Sequence, residues 1–250
     1  FSGLFRRDAS GFEPIPTRHQ GILSLAEDSE GNLWAGTYGG GLDRIRRRAI
    51  TLEGAGEGLP FSSIQSICED QDNVIWAVTQ NGVLAHKTNG KWTAIPTSGD
   101  WPGGATCVAA DAQGSLWIGT HLHGLFCYRG GRFVNWGDAR MLDGKTVHTL
   151  VVDKKGGVWI GQETPTAICH LHDGKLETFL APPDSRIIRA MAEDAAGNLW
   201  AGTSKGVLLR VANGKLAEVT PRRDQELASI RCLCATPDGA LWIGFAGWGV

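Results

Sequence analysis

The residues with the clearest chemical potential are two arginines and a histidine that share one position relative to a tryptophan. Arg189, Arg231 and His148 each stand eleven residues before a tryptophan, between neighbours that are apolar or small. Gln65 occupies the same position in an earlier segment. Guanidinium groups bind carboxylate and sulfate groups through charge-assisted, often paired hydrogen bonds. These residues predict a site for an acidic small molecule, such as a carbohydrate fragment that carries an acid group.

A structural role for these polar residues is the alternative interpretation. The chain offers acidic side chains with which the arginines and the histidine could pair instead of binding a ligand. These candidate partners are Glu27, Glu69 and Glu193.

The sequence contains few residues in the patterns that catalysis or metal binding requires. His121 and His123 are weak candidates for a metal pair, because they are two residues apart but have no carboxylate beside them. The sequence contains no G-x-S-x-G, no phosphate-binding glycine loop and no H-E-x-x-H motif. We therefore expect no catalytic residue, no cofactor and no enzymatic activity in this segment.

Charge and hydropathy exclude several classes of partner. The 250 residues carry a formal net charge of −2 with both signs scattered along the chain, which gives no broad basic surface for nucleic acid. The basic run from Arg44 to Arg48 is interpreted as a solvated strand end. No apolar run approaches the roughly 18 residues of a membrane span, and no signal peptide is visible.

A repeat positions the candidate residues. Six tryptophans follow one another at intervals of 42, 41, 42, 41 and 42 residues, and such a constant period marks a repeat architecture. The phrase around them has the form DAQGSLWIG. The six tryptophans are Trp34, Trp76, Trp117, Trp159, Trp200 and Trp242.

Each repeat unit reads as four short strands. An Asp six residues before the Trp and a Gly three residues before it predict a tight turn between the first and second strands. Asn-Gly and Asp-Gly pairs, as at Asn89 and Asp173, predict hairpins between the third and fourth strands. Four strands in about 42 residues form one blade of a β-propeller. The fold class is therefore all-β: a propeller of four-stranded antiparallel blades with six blade equivalents.

The repeat frame also sets the predicted domain organisation. We expect a single propeller domain over residues 1–250, with a partial blade at each end, and two explanations of the ends stay open. The partial blades could close a six-bladed ring, or the chain could be a segment of a longer array, which the Gly-Leu-type step at both ends favours. The predicted segments are 1–16 and 228–250 for the partial blades and 21–52, 61–96, 104–136, 146–180 and 187–220 for the blades.

The six cysteines follow the repeat and predict buried structural thiols without disulfides. Cys68 shares a repeat position with Cys234, and Cys107 shares another with Cys232. Cys127 and Cys169 share a third repeat position, ten residues after the Trp. None lies in a C-x-x-C pair, so zinc binding is not indicated.

One face of the predicted propeller varies in sequence from blade to blade. It carries the loops between second and third strands and the connections between blades, and variable loops on a repetitive scaffold favour binding. Trp248 and Tyr38 are expected there as stacking surfaces for a sugar. The other residues assigned to this face are His121, His123, Glu163, Trp101, Arg140 and Arg186.

The phrase D-x-x-G-x-L-W-I-G-T followed by G-G-L resembles the two-component regulator propeller repeat. Residues 28–42 and 111–125 match it best, and residues 162–167 depart from it. The resemblance implies a periplasmic sensor propeller of a bacterial hybrid histidine kinase, associated with carbohydrate fragments and followed by further receptor domains. It implies a ligand-sensing role in signal transduction.

Two other functions remain open at this stage. The repeat is loosely similar to that of streptogramin lyase, a metal-dependent lyase, although the Trp-Phe-Thr-Glu continuation of that family is absent. The second is a scaffold that binds a protein partner over the variable face.

Overall fold

The computed structural model describes residues 4–8, 11–29, 32–45, 53–136, 142–219 and 228–246. Short antiparallel strands dominate these residues, and two 3-10 turns, Ala55–Glu57 and Pro183–Ser185, are the helical segments described. None of the described helices combines the length and the apolar character required to cross a membrane. Phe1–Leu52 and Glu53–Val250 form two compact units.

The first unit contains two small sheets. A two-stranded sheet pairs β1 (Leu4–Asp8) with β2 (Gly11–Ile15). A three-stranded sheet contains β3 (Ile22–Glu27), β4 (Leu33–Thr37) and β5 (Gly41–Ile45) in that order.

The second unit contains four four-stranded sheets and one two-stranded sheet, each ordered as in the chain. This arrangement confirms the four-stranded antiparallel blades predicted from the repeat. The strands are β6 (Ile64–Glu69), β7 (Ile75–Thr79), β8 (Leu84–Thr88), β9 (Lys91–Ala94), β10 (Ala105–Ala110), β11 (Leu116–Thr120), β12 (Leu125–Arg129), β13 (Arg132–Asn135), β14 (Val147–Val152), β15 (Val158–Gln162), β16 (Ala167–His172), β17 (Lys175–Leu180), β18 (Ile188–Glu193), β19 (Leu199–Thr203), β20 (Leu208–Ala212), β21 (Lys215–Glu218), β22 (Ile230–Ala235) and β23 (Leu241–Phe245).

The Asp that recurs in the phrase binds both the turn and the tryptophan. In the blade that begins at β10, Asp111 Oδ1 accepts the amide N–H groups of Gln113 and Ser115, as expected for a turn-opening Asp. Its second oxygen, Oδ2, accepts the indole N–H of Trp117 at 2.9 Å. The indole bond was not predicted, and it explains why Asp and Trp recur at a fixed spacing.

Adjacent blades of the second unit pack through a glycine. A Cβ atom added to Gly202 would lie 2.3 Å from Ile230 Cγ2 in the next blade. A Cβ atom at Gly161 would lie 2.9 Å from Ile188 Cγ2, also in the next blade. The glycine two residues after the Trp therefore lets the first strand of the following blade approach closely. Buried apolar clusters fill the space between successive blades.

Two sequence predictions about individual side chains were wrong. Trp101, assigned to the binding face, is 1% exposed and stacks on Phe133 with ring centroids 4.6 Å apart, because it fills the apolar space beside Phe126. Cys127 and Cys169 are not equivalent. Trp117 pairs with Cys127, whereas Trp159 pairs with His170, because the loop after β15 is one residue longer.

The cysteines differ in burial more than the repeat predicted. Cys107, Cys127 and Cys169 are buried, and all six cysteines are thiols. Cys232 and Cys234 are exposed on β22, which contradicts a core-filling role at these positions. Cys234 pairs across the sheet with Trp242, which is 64% exposed, so no described strand of the unit covers this side of the β22–β23 sheet.

Candidate functional site

A register shift marks the candidate ligand-binding position in every blade. The second residue of each first strand is an extra residue without a partner on the second strand. In β18 it lies between Ile188 and Ala190, which pair with the adjacent residues Thr203 and Gly202. Such bulges leave the extra residue out of the ladder and redirect its side chain, and they are frequent beside functional sites. The residues at this position are Leu23, Gln65, Thr106, His148, Arg189 and Arg231.

The first strands of the second unit lie side by side, so the bulged residues are brought together. β10 contacts β6 and β14, and β18 contacts β14 and β22. Gln65 Nε2 donates to the carbonyl of Thr106 at 2.8 Å, and Thr106 Oγ1 in turn donates to the carbonyl of Val147. These two bulged side chains therefore tie neighbouring blades together.

The bulged residues of the second unit line a cavity of about 510 Å³. Four of the residues predicted to bind ligand line it: Gln65, His148, Arg189 and Arg231. The remaining lining residues come from the same strand starts and from the loops on that side. These residues are Ser63, Ile64, Gln80, Thr106, His121 and Thr146.

The arginine pair dominates the electrostatics of the cavity. Burial lowers the pKa of Arg189, the positive charge of Arg231 lowers it further, and Glu163 acts in the opposite direction. The Nε atom of Arg189 is buried without a hydrogen-bond acceptor. Within the described residues, neither arginine has an ion-pair partner, and the expected pairing with Glu193 is not found: that carboxylate accepts the amide N–H of Lys154. An anion in the cavity would supply the missing acceptors.

Two histidines border the arginines and are held by neighbouring polar groups. His148 Nε2 lies 3.0 Å from Glu163 Oε2, and His121 Nδ1 lies 3.1 Å from Thr146 Oγ1. The longer loop after β15 carries Glu163, and a hydrogen bond from Thr166 Oγ1 to the Glu163 carbonyl at 3.0 Å stabilises this loop. Imidazole groups in this setting donate to or accept from a ligand according to their tautomer.

The remaining site residues are not among the described residues that line this cavity. His123 lines a different cavity of about 300 Å³, so His121 and His123 do not share a pocket. Tyr38 belongs to the first unit, where its side chain is 70% exposed. Arg186 is exposed, with its carbonyl accepting a hydrogen bond from Thr166 Oγ1. Trp248 and Arg140 lie outside the described residues.

Comparison with solved structures identifies the fold. Virginiamycin B lyase from Staphylococcus aureus superposes with a TM-score of 0.61 at 17% identity, covering 95% of this chain and 83% of the lyase. The extracellular domain of a hybrid two component system from B. thetaiotaomicron gives 0.58 at 20% identity, covering 98% of this chain and 34% of that one. The WD40 β-propeller domain of Doa1 gives 0.61 at 12% identity, covering 97% and 81%. These likenesses confirm the predicted β-propeller fold.

The family comparison agrees with the sequence phrase. No curated protein sequence matches the chain. A sequence model described as two component regulator propeller matches residues 18–39, 58–81 and 182–205. Each matched segment contains a blade's first strand and the turn and second strand that follow it. The resemblance inferred from the phrase is thus confirmed, and these three segments match the two component regulator propeller repeat.

Proposed function

We propose that this chain is the ligand-sensing propeller of a bacterial signalling receptor and that it binds an acidic small molecule, of the sugar-acid class, in the 510 Å³ cavity. The observation that carries the proposal is the arginine pair. Both arginines line the cavity without an ion-pair partner among the described residues, and the buried Nε of Arg189 has no acceptor there, although buried polar groups are ordinarily satisfied. The two component regulator propeller repeats support the signalling part.

The receptor context is part of the same proposal. The similar extracellular domain from B. thetaiotaomicron is a component of a hybrid two component system, and this chain spans about a third of its length. We infer a periplasmic position in a longer receptor chain. Binding in the cavity would then bias the arrangement of adjoining receptor segments.

Calorimetry with acidic and neutral oligosaccharides tests the proposal. Arg189→Ala and Arg231→Ala should each weaken binding of an oligogalacturonate by roughly 10- to 100-fold, since a hydrogen bond to a charged group contributes about 1.5–3 kcal/mol. Arg132→Ala is the matched control, because Arg132 is exposed on β13 and does not line the cavity. Unchanged affinity in both cavity variants, or equal affinity for the neutral oligosaccharide, would place the site elsewhere.

A lyase is the second candidate, and one contact favours it. The His148–Glu163 pair at the cavity is an arrangement in which a carboxylate orients an imidazole for proton transfer. The fold is shared with virginiamycin B lyase at 17% identity, a level at which the likeness concerns the fold alone. Incubation of the acidic oligosaccharides with the protein and a divalent metal separates the two functions, because a sensor returns the ligand intact.

A further inference from the structure

A cluster of metal-ligating side chains lies in the blade that contains β14 to β17, apart from the arginine cavity. His170 and His172 on β16 and Glu177 on β17 place one ligand atom each within 4.8 Å of one another. His170 and Glu177 face each other directly across the sheet, and His172 follows two residues along β16 on the same side. None of the three lines the 510 Å³ cavity.

His170 is held in place by a buried carboxylate and an indole ring. Its Nε2 atom lies 2.7 Å from Asp153 Oδ2, and its ring stacks on Trp159 with centroids 3.8 Å apart and planes 5° from parallel. Asp153 Oδ1 accepts the amide N–H groups of Lys155 and Gly157, so this carboxylate is fixed by the turn. The Nδ1 atom is the ring nitrogen left for a ligand. A carboxylate that fixes one nitrogen of a histidine while the other binds metal is the usual outer shell of a zinc ligand.

The Asp153 carboxylate makes a different side-chain hydrogen bond from the corresponding carboxylates of the other blades. In four of them the corresponding Oδ2 atom accepts the indole N–H of the repeat tryptophan at 2.7–2.9 Å. In the blade with β14 to β17 it contacts His170 instead. The equivalent cross-strand partners of the other tryptophans are Arg44, His86, Cys127 and Arg210. The repeat motif is therefore altered at the one blade where two histidines and a glutamate converge among the described residues.

We propose that His170, His172 and Glu177 bind a zinc ion. Two imidazoles and a carboxylate are a common ligand set for Zn²⁺, and a site with three protein ligands leaves a fourth position for water or for a group from a partner. Bonds of about 2.0–2.2 Å in a tetrahedron bring ligand atoms to about 3.4 Å from one another. His172 and Glu177 are exposed and have the freedom to close this distance, whereas His170 stays fixed by Asp153.

Metal titration of the full chain tests the site. After treatment with a chelator, calorimetry with Zn²⁺ should give one ion per chain, and His172→Ala and Glu177→Gln should each weaken binding by roughly 100-fold. This estimate takes the upper end of the about 10- to 100-fold loss known for outer-shell partners. His19→Ala is the matched control, because His19 is exposed and outside the cluster. Far-ultraviolet circular dichroism establishes that each variant folds.

Exposed thiols are the competing zinc ligands in this chain. Cys232 and Cys234 are exposed two residues apart on β22. Cobalt substitution distinguishes the two sites, because thiolate ligands add an intense charge-transfer band that imidazole and carboxylate ligands do not. The proposal expects no such band and unchanged affinity after Cys232→Ser with Cys234→Ser. Zinc binding that survives His172→Ala and Glu177→Gln together, or that disappears with the serine substitutions, would overturn it.

Discussion

Val78 is large and Ala105 in the next blade is small, whereas the corresponding contacts between the other blades join a small glycine to a larger residue. Val78 stands where the repeat has glycine after the tryptophan, and it is 0% exposed in the same buried cluster as Ala105, which is 2% exposed. The next blade compensates for the larger Val78 with the smaller Ala105. The reverse combination of glycine and a β-branched residue occurs in the pairs Gly119–Val147, Gly161–Ile188 and Gly202–Ile230.

The Gly202–Ile230 contact gives a direct test of this size complementarity. Gly202→Ala should lower the free energy of unfolding by roughly 1–3 kcal/mol, because the new Cβ meets Ile230 at 2.3 Å. Ile230→Ala alone should cost roughly 2–5 kcal/mol. The double variant should lose less unfolding free energy than the sum of the two single losses, by a coupling energy of about 0.5–3 kcal/mol. Denaturant unfolding of the four proteins measures this, and simple additivity would contradict the proposed contact.

The buried repeat tryptophans should contribute strongly to stability. Trp117 and Trp159 are each 8% exposed. Replacing either with Ala should lower the free energy of unfolding by roughly 3–5 kcal/mol. Trp242 holds the same repeat position but is 64% exposed, so Trp242→Ala is the matched control and should cost much less. Equal losses for Trp242 and Trp117 would show that burial does not set the effect.

The sequence was sufficient for the blade, because its strands and turns follow from position within a repeat. Spacing from the tryptophan located Arg189 and Arg231 on the correct strand starts. The bulges that turn these side chains toward the cavity, by contrast, depend on the pairing of two strands and leave no mark in residue type.

The sequence did not predict the proposed zinc-binding cluster for a related reason. His170 and Glu177 meet only when β16 and β17 pair, and the extra loop residue hides the equivalence of His170 with Cys127.

The Asp194 turn should make stability sensitive to acid. Burial acts to raise the pKa of Asp194, but hydrogen bonds from Asn198 and Trp200 outweigh it and bring the pKa to about 2. A carboxyl group with a lowered pKa stabilises the fold above its unfolded pKa, and this contribution is lost as pH falls from about 4 to about 2. Asp194→Asn should cost roughly 1–3 kcal/mol near neutral pH. Denaturant unfolding at a series of pH values measures the difference in unfolding free energy between wild type and Asp194→Asn. This difference should shrink below pH 4, and a constant difference would contradict the lowered pKa of Asp194.

The thiols should divide into two classes by reactivity. Burial raises the pKa values of Cys68 and Cys107 to about 12 and also raises those of Cys127 and Cys169. Cys232 and Cys234 are exposed. A thiol reagent should therefore modify two cysteines rapidly and four slowly in the folded protein, since thiolate is the reactive form. The unfolded chain should show six free thiols without reductant, and a smaller number would indicate a disulfide.

The arginine pair should lower stability until an anion binds. Burial and the charge of Arg231 both disfavour the charged form of Arg189, and its Nε atom has no acceptor among the described residues. The two arginines therefore cost folding free energy, which an anion bound in the cavity would offset. Arg231→Gln should raise the melting temperature slightly at low salt, by the equivalent of up to about 1 kcal/mol. Glucuronate should then stabilise the wild type more than Arg231→Gln, because a ligand stabilises the state that it binds. Arg132→Gln is the control at matched ionic strength, and equal stabilisation of all three proteins would mean that the anion acts through general screening and not at this cavity.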